Sequence, residues 1–103
     1  TVSFKNHIKG ARAEAIVAAH LINLGYYVFT PVVNMQGPVD IMAIDDDGNF
    51  ILIDAKHEGK RASKGRPRKT RIHRVRTPTQ KKLGVRIAYV TSDDRVDFVP
   101  KLE

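Results

Sequence analysis

The chain contains no cysteine, which excludes disulfides and thiolate zinc sites. It has no apolar run near the ~20 residues that span a bilayer, so no membrane partner is expected. Its opening, "TVSFKNHIKG", is polar and lacks the apolar centre of a secretory signal. A cytoplasmic protein is therefore expected. The sequence starts at Thr1 rather than Met, so a few leading residues are expected to be missing. Internal repeats are absent, and 103 residues suit a single domain, 1–103, with one modest core. A hydrophobic content of 42% supports a packed fold rather than disorder.

Acidic residues are missing from one long stretch. Segment 60–76, "KRASKGRPRKTRIHRVR", carries Lys60, Arg61, Lys64, Arg66, Arg68, Lys69, Arg71, Arg74 and Arg76, nine of the 18 basic residues and none of the 11 acids. The net charge of +7 therefore comes from this segment alone. Few aromatic or large apolar residues accompany the charges, which argues against insertion into lipid. Phosphate backbones are the expected partner. Gly59, Gly65 and Pro67 mark the region at about 57–76 as a mobile, DNA-binding loop.

Residues 5–24 predict a helix, with Ile8, Ala11, Ala15, Ala18 and Ile22 at i, i+3, i+4 spacing and Gly25 as its stop. Strands are expected at 26–33, 38–44, 50–56 and 85–91, with another at 95–100. Those at 38–44 and 50–56 are apolar on both faces, as in a sheet covered on both sides. "TPTQKKLG" (77–84) predicts a short helix with Thr77 as N-cap, Pro78 in the first turn and Gly84 at its end. The resulting order, αβββαβ, is an α/β fold with a mixed central sheet flanked by helices.

Two carboxylates and an ammonium interrupt the central strands, at Asp40, Asp54 and Lys56. A two-residue Asp47-Gly48 turn would set Asp54 opposite Ile41 and send Asp40 to the other face. A three-residue loop, Asp46-Asp47-Gly48, changes the parity and pairs Asp40 with Asp54. Such loops place Gly last, at positive φ, and this register is the one expected. Lys56 then shares the face of both acids. Converging carboxylates repel unless a cation lies between them. Hard oxygen ligands suit Mg²⁺, or Mn²⁺ in its place, and a neighbouring lysine orients water or neutralises a phosphate. These are parts for metal-assisted phosphodiester hydrolysis; the plain alternative is a lysine salt-bridged between two structural acids.

Pro38-Val39-Asp40 followed by Asp54-Ala55-Lys56 resembles the PD-(D/E)XK nuclease superfamily. Helix one adds Glu14 in "GARAEAIVAAHLINLGYYV", and "TPTQKKLG" adds Gln80, at points where many members carry them. The element order is similar over most of the chain. Small archaeal-type Holliday junction resolvases, and phage or intron-encoded homing endonucleases, look closest. The resemblance implies a restriction-endonuclease-like core and an Mg²⁺-dependent DNA endonuclease. Asp40, Asp54 and the Ala55 carbonyl would bind metal, and Lys56 would position the attacking water. Glu14 would serve a second metal or its water, and Gln80 would touch the scissile phosphate or Lys56. The setting would be the nucleoid or a phage-infected host, and the state a homodimer, a higher homo-oligomer or one chain of a split enzyme. The long basic segment departs from the resolvase pattern and favours extended duplex contacts. Alternatives are a non-catalytic nucleic-acid-binding module on a degenerate nuclease fold, and a ribosomal or RNA-binding protein.

Other motifs are weaker. Asp45-Asp46-Asp47-Gly48 lacks the spacing and terminal glutamate of a calcium loop. His57 in "HEG" lacks the second histidine of a zincin; it follows Lys56 within reach of a phosphate, but an exposed loop histidine is expected. His7, His20 and His73 show no metal-ligand spacing. Tyr26, Tyr27 and Phe29 are expected as core or sheet residues rather than base-stacking platforms.

Overall fold

The computed structural model describes residues 4–33, 37–62, 69–72 and 74–102, with 59–62 and 69–72 described as backbone. The elements are helix α1 (Lys5–Asn23), strands β1 (Tyr27–Phe29), β2 (Ile41–Ile44), β3 (Phe50–His57), β4 (Gly59–Ala62) and β5 (Lys69–Ile72), helix α2 (Pro78–Leu83), and strands β6 (Arg86–Val90) and β7 (Val96–Val99). Five strands form a mixed sheet in the order β1-β2-β3-β6-β7. Only β3 and β6 run parallel; the other neighbours are antiparallel. This is an α/β fold.

The β2–β3 hairpin has the three-residue register. Ile41 pairs with Ile53 and Ile44 with Phe50. Asp45 N–H donates to Asn49 O at 2.9 Å, and Gly48 N–H donates to Asp45 O at 3.1 Å. Gly48 has φ +81°, a conformation in which a Cβ clashes with the backbone. Asp45 Oδ1 accepts from the N–H groups of Asp47 and Asn49, each at 2.9 Å. The acidic run is thus a self-capped turn.

One face of the sheet packs on α1. Ala13, Val17 and Leu21 of α1 meet Ile41, Ala43, Ile53, Ala55, Ala88, Val90 and Phe98. Most of the stripe expected to be buried faces outward instead: Ile8 and Ile22 are 64% and 60% exposed, and Ala18 alone of the five packs against the core. Both stripes of α1 are apolar, and the one carrying Val17 and Leu21 fills the core. The opposite face is only partly covered. The stretch 74–83 lies over its β3–β6 portion, where Arg74 N–H donates to Tyr89 Oη at 2.7 Å and Tyr89 is buried. Toward β1, Phe29, Thr30, Pro31, Val39, Met42 and Leu52 line a shallow apolar depression of about 270 Å³. The expectation of a sheet covered on both sides therefore holds for only part of it among the described residues.

Several strands are shorter than expected, β2, β6 and β7 by a few residues at their ends, and β1 ends at Phe29 because Pro31 has no N–H for a ladder. The basic segment, expected as a loop, carries β4 and β5, which pair as a two-stranded ribbon with Lys60 opposite Arg71 and Ala62 opposite Lys69. Lys64, Arg66 and Arg68 lie outside the described residues. Among the described residues no helix is long and apolar enough to cross a membrane.

Candidate active site

The register places Asp40 and Asp54 at the same end of β2 and β3 and on one face. Asp40 sits just before β2, and its N–H donates to Ile53 O at 2.8 Å. Its Oδ2 accepts from Ala55 N–H at 2.9 Å. Asp54, buried in β3, accepts at Oδ2 from Gln80 Nε2 at 2.9 Å. Its Oδ1 lies 3.5 Å from Lys56 Nζ. Asp40, Asp54, Lys56, Gln80, Thr77, Gly37, Arg74 and Val75 line one open cleft of about 570 Å³.

Gln80 is placed by the local rules of a helix start. Thr77 Oγ1 accepts from Gln80 N–H at 3.1 Å, and Gln80 Oε1 accepts from Thr77 N–H at 3.0 Å. This reciprocal cap aims the Gln80 amide at the sheet, where Nε2 also reaches Pro38 O at 3.1 Å. Gly84 closes the six-residue helix at φ +72°.

The electrostatics match a strained pair of acids. Burial raises the Asp40 carboxyl to about 6, the hydrogen-bonding proximity of Asp54 adds to this, and the charges of Asp54 and Glu14 push the same way. The Ala55 N–H opposes the shift without cancelling it. Asp40 thus holds its proton to an unusually high pH when only protein surrounds it, and a cation between the acids would remove the cause.

Glu14, half-buried on α1, is felt electrostatically by Asp40 but does not line the cleft. Among the described residues no three His, Asp or Glu side chains converge as a metal cage. The donor set present is two carboxylates with room beside them. That fits Mg²⁺, which commonly takes one or two carboxylates and fills its remaining positions with water and phosphate oxygens.

The predicted DNA contacts divide. Arg74 is exposed at the cleft. Arg76 instead donates from Nη1 to Val85 O at 3.1 Å, which ties the chain between α2 and β6. Lys60 and Arg61 lie on β4, and Lys69 and Arg71 on β5.

A second cleft of about 270 Å³ adjoins the first, because Lys56 and Arg74 line both. Its other walls include Asn6, Lys9, Gly10 and His57, and His57 Nε2 lies 2.6 Å from Lys9 O. His57, expected as an exposed loop residue, instead ends β3 and is half-buried; Lys9 and Asn6 were not among the residues expected at the site. The available signal was the lysine-rich start of α1, where Lys5 and Lys9 stand at the positive end of the helix dipole with no acid in the first turn.

Compared with known proteins, the chain matches no family model, no curated protein and no solved structure.

Proposed function

We propose that the protein is a metal-dependent DNA endonuclease of the PD-(D/E)XK type, with a restriction-endonuclease-like core and a phosphodiester as its substrate. The observation that carries the reading is the meeting of Asp40 and Asp54 on one sheet face, with Lys56 Nζ 3.5 Å from Asp54 Oδ1 in an open cleft. Two structural acids salt-bridged to a lysine would not need an open cleft beside them. The uneven +7 charge supports a polyanionic partner.

In this reading Asp40 and Asp54 would hold Mg²⁺ or Mn²⁺, together with the Ala55 carbonyl, and the ion would supply Lewis acidity toward the phosphoryl oxygens. The protein's own part is positioning. Ala55 N–H fixes Asp40 and Gln80 fixes Asp54, so the acids cannot turn away from each other. The Lys56 ammonium orients the attacking water and offsets negative charge that develops on the phosphate as one P–O bond forms and the opposite one breaks. Arg74, held at its backbone by Tyr89, offers a charge to a neighbouring phosphate. Glu14 acts on the site through its field.

The test is a cleavage assay on plasmid, linear duplex and four-way-junction DNA with Mg²⁺, Mn²⁺ or EDTA. Cutting that requires a divalent ion and is lost in Lys56→Ala supports the proposal. DNA binding without cutting in either metal would leave a nucleic-acid-binding module instead, and preference for structured RNA would point to an RNA-binding protein.

A further inference from the structure

The face of α1 turned away from the sheet is apolar. Phe4, Ile8, Ala11, Ala15, Ala19 and Ile22, all exposed, recur at intervals of three and four residues, the spacing of a seam between two helices; Ala18 beside them is half-buried against the core. The protein's own core uses the other stripe, Ala13, Val17 and Leu21. Ala11 and Ala15 are exposed with Ile8 and Ile22, so among the described residues nothing covers this seam.

We infer that this face is a self-association surface, on which α1 of a second copy packs antiparallel about a two-fold axis beside Ala15. The seam reads the same in both directions from that residue: Ile8 and Ile22 each lie seven positions from Ala15, and Ala11 and Ala19 each lie four, while Arg12 and Ala18 at its flanks do not match. Antiparallel pairing sets Ile8 of one copy against Ile22 of the other at both ends, while the alanines let the helices approach closely in the centre. A two-fold contact requires this kind of self-complementarity.

Charge selects the same direction. The first half of α1 holds Lys5, Lys9 and Arg12, whereas the half from Glu14 onward has no Lys or Arg. Parallel pairing would stack three cations on three. The antiparallel arrangement lays each basic half beside the partner copy's C-terminal half, the negative end of the helix dipole. Arg12 flanks the seam and is held aside by Asp94 at 2.7 Å. No seam residue lines the Asp40–Asp54 cleft, so association leaves it open. The inference stands independently of the nuclease reading.

A contact built on one 19-residue helix per copy is small for a permanent dimer. Sedimentation velocity should therefore show a monomer that becomes a dimer as concentration rises through the micromolar range. Ile8→Glu and Ile22→Lys change exposed positions, so the circular dichroism spectrum should remain that of the wild type. Each variant alone should stay monomeric where the wild type is dimeric. An equimolar mixture should dimerise again, because antiparallel pairing brings the introduced carboxylate of one copy to the introduced ammonium of the other and leaves Ile22 against Ile8 at the far end. A wild type that stays monomeric overturns the inference. So does an Ile8→Glu chain that dimerises like the wild type, or a mixture that remains monomeric while the wild type pairs.

Discussion

Gln80 serves Asp54 and its own helix at once: Nε2 donates to Asp54 Oδ2 at 2.9 Å while Oε1 caps α2 at the Thr77 N–H. Replacement by Glu keeps the cap acceptor but replaces the donor with a third negative charge. Replacement by Ala loses both. Hydrogen bonds to charged groups contribute about 1.5–3 kcal/mol, so Gln80→Glu and Gln80→Ala should each reduce cleavage at saturating metal by roughly 10- to 100-fold. Gln80→Ala should also lower stability by about 1 kcal/mol through the lost cap, seen as a lower melting temperature. Single-turnover rates together with thermal melts separate the two roles.

Lys56→Ala should abolish cleavage and leave DNA affinity nearly unchanged. In the proposed reading its ammonium acts on charge that appears in the transition state, and such groups contribute little to ground-state binding. Asp54→Ala should abolish cleavage as well and lose metal-induced stabilisation. Gel-shift titration in EDTA alongside a cleavage time course is the measurement. Normal cutting by Lys56→Ala would remove it from the mechanism.

The Asp40 carboxyl, raised to about 6 in the fold from an ordinary 3.8, binds a proton more tightly folded than unfolded. Without metal, stability is therefore highest below about pH 4 as far as this group is concerned, and falls as pH rises through 6. Asp40→Asn retains an acceptor for Ala55 N–H and removes the repulsion. It should raise the melting temperature at pH 8 in EDTA and make no such difference at pH 4. Added Mg²⁺ should stabilise the wild type at pH 8, with the effect fading below 6 as protons compete. Equal melting of both proteins at pH 8 would contradict the shift.

Gly48→Val should destabilise the fold by more than ~1 kcal/mol, because a β-branched residue is excluded at φ +81°. Gly48→Asn should be milder, since Asn tolerates the left-handed region. Urea titration gives both values.

Neutralising Arg66, Arg68, Lys69, Arg71 and Arg74 should lower the slope of log K against log salt by about 4 and weaken binding to all sequences alike. Arg76→Gln should act differently, through stability, because its guanidinium holds the Val85 carbonyl. An unchanged slope in the five-fold variant would mean that the segment faces away from DNA.

Local rules were the most legible. The hairpin parity followed from the position of Gly48, and the α2 cap from Thr77, Pro78, Gln80 and Gly84, because neighbours along the chain decide both. The Asp40–Asp54 pairing came with the parity. The buried side of α1 was not legible: two apolar stripes share one helix, and only contact with Ile53 and Ala88 across the sheet selects Val17 and Leu21. The strands of the basic segment were hidden because they lack apolar alternation. Arg74 reaches the cleft through a tertiary contact, the bond from its N–H to Tyr89 Oη. Tyr27, expected in the core or the sheet, is in β1 yet 71% exposed.

Both margins of the five-stranded sheet stop early. β1 has three residues with Pro31 soon after, and β7 has four, followed directly by Pro100. A polypeptide that tries to zip onto either border finds a short run of open N–H and C=O groups and then a residue with no N–H to give. The sheet is thus closed to growth by strand addition, and amyloid-like stacking has little template to follow. Contacts with other molecules, whether nucleic acid or a second copy, are left to side chains.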